Sequence, residues 1–109
     1  MTRLAAEFWV KAYIKRLSLE NIAAYVLHRG DDTAGSILIK VNCLDGHVAL
    51  FEQAYDILAD RRVWNAVLTS LEPQADEWIA RQRNRDADLW VIEIESPSGA
   101  HFLDDMKSH

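Results

Sequence analysis

The feature that most constrains this chain is the stretch RQRNRDADLWVIEIE from Arg81 to Glu95, where a helical pattern gives way to a strand within two residues. Arg81, Arg83 and Arg85 lead into Asp86 and Asp88, whose short side chains compete with the helix for its own backbone groups and end it. The run Leu89-Trp90-Val91-Ile92, continued by Ile94, is rich in β-branched and aromatic residues that suit a pleated surface. Alternation places Trp90, Ile92 and Ile94 on one face of that strand and Leu89, Val91, Glu93 and Glu95 on the other. One face is wholly apolar and the other turns acidic, so the strand is expected at the centre of the core.

The preceding helix is predicted from about Pro73 to Asn84. Pro73 suits a first turn, Asp76 and Glu77 suit the positive end of the helix dipole, and the arginines suit its negative end. Its apolar side is Ala75, Trp78 and Ile79. An earlier helix is predicted over residues 6–20, although Phe8, Val10, Ala12 and Ile14 also alternate like a strand. At helical spacing Ala6, Trp9, Val10, Tyr13, Ile14 and Leu17 share a side, which favours the helix. Phe8 is left near the polar side as ordinary surface.

Between the helices the period changes to two. IAAYVLHR, SILIKVNCL and HVALF, separated by GDDTAG and DG, read as a three-stranded antiparallel meander over Ile22 to Phe51. Asp45-Gly46 is a tight-turn signal, and the Gly30–Gly35 loop is expected to be a hairpin turn. Glu52 to Arg62 has no sustained period and is expected to be a loop, with a helical turn near Tyr55 to Leu58. Arg62 to Ser70 fits a strand or a helix, and the strand is preferred for the alternation of Trp64, Ala66 and Leu68. After the Ser96-Pro97-Ser98-Gly99 turn, Ala100 to Leu103 is expected to return as a short strand, and DDMKSH to be a frayed tail. These elements predict an α+β fold, a mainly antiparallel sheet of about five or six strands with two helices packed on one face, in a single domain over residues 1–109.

Composition limits what such a domain does. A chain of 109 residues can bury a core without a disulfide or metal staple. Its single cysteine, Cys43, has no intrachain partner and no companion for a zinc site. No apolar run approaches the roughly 20 residues that span a bilayer, and the start of the chain lacks the apolar core of a signal peptide, so a cytoplasmic setting without a membrane is expected. The formal charge of −5 opposes nucleic-acid binding as a default function.

Certain residues together resemble a known family. They are Trp9-Val10-Lys11-Ala12 with Arg16, Arg29-Gly30-Asp31 with Ala34-Gly35, Lys40-Val41-Asn42, and Asp86, Asp88-Leu89-Trp90-Val91 with Glu93. The chain resembles domain-of-unknown-function family 1491, small proteins of alphaproteobacteria, over nearly its whole length from Arg3 to Leu103. The Asp-x-Asp-Leu-Trp-Val segment is the most specific part. Position 87, often proline in the family, is Ala87 here, which leaves that turn less rigid. The resemblance implies a bacterial, intracellular origin and carries over no catalytic residue.

Candidate sites are therefore read from chemistry alone. Arg81 and Arg85 lie one helical turn apart with Trp78 three residues before Arg81, a grouping able to grip an anion or stack on a base; the competing reading is that these arginines pair with Glu77, Asp86 or Asp88. Asp31 and Asp32 offer carboxylates for an anion or metal loop, but their spacing matches neither a phosphate loop nor a calcium loop. His28, His47, His101 and His109 lack ligand spacing, and no metal or cofactor is expected. The acids Asp86, Asp88, Glu93 and Glu95 are too spread along the strand for one site.

The favoured function is a non-enzymatic binding or protein-interaction module, acting through an edge strand or helix face on another protein or on a second copy as a homodimer. Its four tryptophans suit either an interface or a core. The rivals are a small enzyme or metal-dependent nuclease built on the Asp31-Asp32 loop, and nucleic-acid binding if Arg81, Arg83 and Arg85 merge with Lys11, Lys15 and Arg16 into one stripe.

Overall fold

A computed structural model describes residues 5–106 of the chain. Helix α1 (Ala6–Ser18) precedes strands β1 (Ala23–His28), β2 (Ile37–Asn42), β3 (His47–Asp56) and β4 (Arg61–Leu71); helix α2 (Glu72–Arg85), strand β5 (Trp90–Glu95) and a 3-10 turn over Leu103–Asp105 follow. The five strands form one sheet in the order β1-β5-β2-β3-β4. Every pairing is antiparallel except that of β2 with β5. The fold is α+β, as the pattern predicts.

The expected meander over Ile22 to Phe51 is corrected by the position of β5, which inserts between β1 and β2. The true meander is β2-β3-β4. With no apolar or acidic cue to mark a neighbour, sequence adjacency suggested a β1–β2 pairing, but β5 is apolar on both faces over Trp90–Ile92 and needs a strand on each side.

The two helices lie on opposite faces of the sheet rather than on one. Ala6, Trp9, Val10, Tyr13 and Leu17 of α1 pack on Ile37, Ile39, Val41, Trp90, Ile92 and Ile94. Ala75 and Ile79 of α2 pack with Leu38, Val48, Leu50, Leu89 and Val91. The physical reason is in the central strands themselves: Ile37, Ile39, Val41, Trp90, Ile92 and Ile94 make one face wholly apolar, while Leu38 and Val91, with Val48, Leu50 and Leu89, put a second, smaller apolar cluster on the other, so each face needs its own cover. The alternation predicted for β5 is observed, with Trp90, Ile92 and Ile94 buried together and Glu93 and Glu95 only partly buried.

The Gly30–Gly35 segment is a clasp, not a hairpin turn. It crosses the end of β5 to reach β2, and its backbone is tied on three sides. The Asp31 N–H donates to Asp88 O at 3.0 Å, and the Trp90 N–H donates to Ser36 O at 2.8 Å. The Ala6 and Glu7 N–H groups of α1 donate to Thr33 O and Asp32 O, at 3.1 and 2.9 Å. These two are helix-start donors that otherwise lack partners. The loop therefore caps α1, whose own cap residue, Ala5, makes no side-chain cap bond. Both glycines are required by proximity: a Cβ on Gly30 would collide with Asp88 O and Trp90, and one on Gly35 would stand 2.5 Å from Asp88 O.

Three further expectations change. Glu52–Asp56 is not a loop, because β3 and β4 run on past β2 as a two-stranded hairpin in which Gln53 pairs with Trp64 and Asp56 with Arg61. Its alternation is hidden because only Trp64 of the overhang's described residues packs against the main core, too little to declare a period. Arg61–Leu71 is a strand, as preferred, and a register shift opposite Leu50/Phe51 accounts for its mixed pattern. Ala100 to Leu103 is not a strand: Phe102 is left-handed at φ 56°, and Leu103 begins the 3-10 turn. That turn is anchored rather than frayed, since Leu103 is buried and Asp105 pairs with Arg16 at 2.9 Å. Residues 1–4 and 107–109, His109 among them, lie outside the described residues.

Candidate functional site

Trp78, Gln82 and Asp86 recur every four residues and so form one stripe along α2. Ala75 and Ile79 anchor the helix to the sheet, which leaves that stripe facing a cleft at the start of β2. The opposite walls are Ser36, Ile37 and Leu38, then Glu52 and Gln53 of β3 and Arg62 of β4, with Leu89 completing the lining alongside Ala34. The volume is about 190 Å³. The side-chain oxygen of Gln53 is buried and accepts no hydrogen bond among the described residues. An aromatic face, two carboxylates, two amides and one guanidinium thus meet in a small concavity.

Beside the cleft, on the same face of the sheet, lies a group that the sequence reading did not single out. Lys40 is almost wholly buried, and its Nζ contacts Glu72 at 2.7 Å, Asp76 at 2.8 Å and Glu93 at 3.0 Å. Asn42 donates to Glu72 and Glu93 at longer range, 3.4 and 3.5 Å. Burial pulls the ammonium toward neutrality, but bonds to Asp76, Glu72 and Glu93 outweigh it and hold its pKa above the ordinary lysine value. A lysine held charged in this way is no general base or nucleophile. It ties the first turn of α2 to β2 and β5. The available cue was a lone lysine inside the apolar run Ile37–Val41, with Glu72 and Asp76 at helical spacing to meet it.

Of the residues singled out from sequence, the structure brings Trp78 into the cleft and leaves Arg81 and Arg85 outside it, exposed on α2. Among the described residues neither arginine forms an ion pair, so the expected pairing with Glu77, Asp86 or Asp88 is not seen. Asp31 uses its carboxylate within the loop, accepting from the Thr33 and Ala34 N–H groups at 3.1 and 2.8 Å. Asp32 pairs with Arg29 at 2.7 Å, and that guanidinium lies over the Trp90 ring at 5.0 Å. Glu93 joins Lys40, Glu95 accepts from the Tyr25 hydroxyl at 3.0 Å, and Asp86 accepts from the Asp88 N–H at 3.0 Å, so these acids work separately.

The basic residues do not merge into one stripe, because α1 and α2 sit on opposite faces. Lys11 is paired with Glu7, and Arg16 with Glu20 and Asp105. His101 packs its ring against Phe51, with centroids 4.6 Å apart, while His47 is exposed beside Asp45. Among the described residues no group of three or more His, Cys, Asp or Glu side chains is arranged to hold a metal ion. No helix among them is long and apolar enough to cross a membrane.

Fold and cleft define a small α+β domain, a mixed five-stranded sheet covered by one helix on each face, with a concave polar site under the end of α2. The chain belongs to the DUF1491 family, proteins of unknown function, whose pattern it matches over residues 4–104. A crystal structure of a DUF1491 protein from Caulobacter crescentus is 36% identical, covers 94% of both chains and superposes with a TM-score of 0.81. An NMR structure of a DUF1491 protein from the same organism gives 36% identity, the same coverage and a TM-score of 0.80. A protein of A. tumefaciens, solved in solution, is 30% identical over 87% of each chain, with a TM-score of 0.75. No curated protein matches the chain.

Proposed function

We propose that this protein is a non-enzymatic, protein-interaction module of the cytoplasm, acting as a single domain, and that the cleft beside Trp78 seats a basic side chain of a protein partner. The observation that carries the reading is the lining itself. Glu52, Asp86 and the Gln53 oxygen, which has no partner among the described residues, are acceptors, Arg62 is the one cation of the lining, and Trp78 supplies an aromatic face. Carboxylates and an amide oxygen next to an indole form a receptor for guanidinium or ammonium. At about 190 Å³ the cleft falls below the roughly 300–1,000 Å³ of pockets that hold metabolites, so it fits a partner's side chain better than a whole small molecule. The net charge of −5 favours a basic partner in the same way. The free Cys43 fits a reducing compartment.

The test is a titration of the isotope-labelled protein with N-acetylarginine amide, with the neutral citrulline analogue as control. The reading expects the arginine probe to shift the Trp78 indole and the Gln53 and Gln82 side-chain amides, and citrulline to leave them in place. Shifts confined to other surfaces, or equal responses to both probes, overturn it.

A further inference from the structure

The stripe of α2 that faces the cleft, Trp78, Gln82 and Asp86, is bordered by two cations on the same helix. A helix turns about 100° per residue, which places Arg81 and Arg85 on the far side of Trp78 from Ala75 and Ile79, the residues that hold α2 to the sheet. Both arginines are exposed, and they stand one turn apart, roughly 6 Å along the axis. Arg83 falls on the other flank, with Glu72 and Asp76, whose carboxylates reach across to Lys40. Of the three arginines of α2, Arg81 and Arg85 therefore edge the cleft and Arg83 does not.

Neither rim arginine forms an ion pair among the described residues. Glu77 stands four residues before Arg81, the order that favours a pair on a helix surface, and that pair is not made. The dipole at the end of α2 favours cations in the last turn, which accounts for Arg83 and Arg85 but not for Arg81, which lies before it. Two like charges one turn apart repel each other, and a carboxylate set between them offsets that repulsion and accepts from both guanidinium groups. The site thus changes sign along one side of a helix: Glu52, Asp86 and the Gln53 oxygen are acceptors inside the cleft, and two guanidinium groups are donors on its rim.

We infer, resting on the reading of the cleft as a seat for a basic side chain, that the partner segment is of mixed charge, with a carboxylate, held between Arg81 and Arg85, beside the basic residue. In an extended segment side chains two residues apart share a face at roughly 7 Å, and a helix with its side chains is about 10 Å across. A basic residue in the cleft, one spacer and an acidic residue then span from the stripe to the rim of α2. The cleft selects the cation and the rim selects the anion.

The experiment is an NMR titration of the full chain with three peptides: acetyl-Ala-Arg-Ala-Glu-Ala-amide, the same with glutamine for glutamate, and the same with citrulline for arginine. The glutamate peptide is expected to bind about three- to tenfold more tightly than the glutamine peptide, and the citrulline peptide to bind least. The net charge of −5 disfavours an added carboxylate, so that preference reports a local group and not the overall field. Arg81→Gln combined with Arg85→Gln is expected to abolish the preference and keep the affinity for the glutamine peptide, while Arg83→Gln keeps the preference. Equal binding of the glutamate and glutamine peptides, with citrulline still rejected, overturns the inference and leaves the cleft reading standing; a citrulline peptide as tight as its arginine counterpart overturns both. A preference that survives the double substitution, or that Arg83→Gln removes as fully, also overturns the inference.

Discussion

The indole Nε1 of Trp90 donates a 2.7 Å hydrogen bond to the backbone oxygen of Asp31, joining the first residue of β5 to a loop far earlier in the chain. The bond satisfies the one polar group of a tryptophan that is otherwise wholly inside the core. Through it β5, the loop that caps α1 and the start of β2 become one packed unit.

Trp90→Ala removes both the packing and this bond. The expected loss is about 3–5 kcal/mol, a large part of the stability of a domain this size. Urea unfolding of the variant measures it, and an unchanged midpoint would place Trp90 outside the core.

Lys40→Met tests the ion network on the other face. Removing the ammonium leaves Glu72, Asp76 and Glu93 crowded together. The cost is expected near 2 kcal/mol, less than the roughly 3–5 for breaking a fully buried pair, because Glu72 and Asp76 keep access to water. Lowering the pH protonates the carboxylates and is expected to narrow the gap between variant and wild type. A gap that widens in acid contradicts the assignment.

Alkaline pH tests Tyr13. Burial raises its hydroxyl above the ordinary 10.0, and the group donates to His101 O at 2.8 Å. A pKa raised on folding means that the native state holds its proton longer than the unfolded chain. Stability is therefore full below about pH 10 and falls as the pH rises toward the folded value. Lys40, also raised, acts with the same sign. Urea midpoints from about pH 8 to about pH 11 are expected to drop, and Tyr13→Phe to reduce the drop after a loss of about 1 kcal/mol at neutral pH. A flat profile in the wild type would be inconsistent with this burial.

What could be read in advance was whatever a single segment declares by its own period. The buried side of α1, the two faces of β5 and the stop at Asp86 were legible for that reason. Neighbour relations were not: nothing local in Ala23–His28 says that its partner is β5, more than sixty residues later, and nothing in Gly30–Gly35 says that its carbonyls cap α1. Of the cleft, Trp78 was visible as an unusual aromatic on α2. Its companions Gln53 and Arg62 were not, because they lie on two other strands, β3 and β4, and nothing local in either segment says that it faces α2. Lys40 was hidden for a related reason, since its three partners come from two separate elements, α2 and β5.

The central claim is that partners are held at the cleft under α2, and the most direct measurement is site-specific photo-crosslinking in the native cell. A photoreactive residue at Gln82, inside the cleft, is compared with one at Lys11, on α1 across the sheet. The account predicts a discrete protein adduct from position 82 that disappears when Trp78→Ala is added, and none from position 11. No adduct from position 82, or the same adduct from both positions, would contradict it.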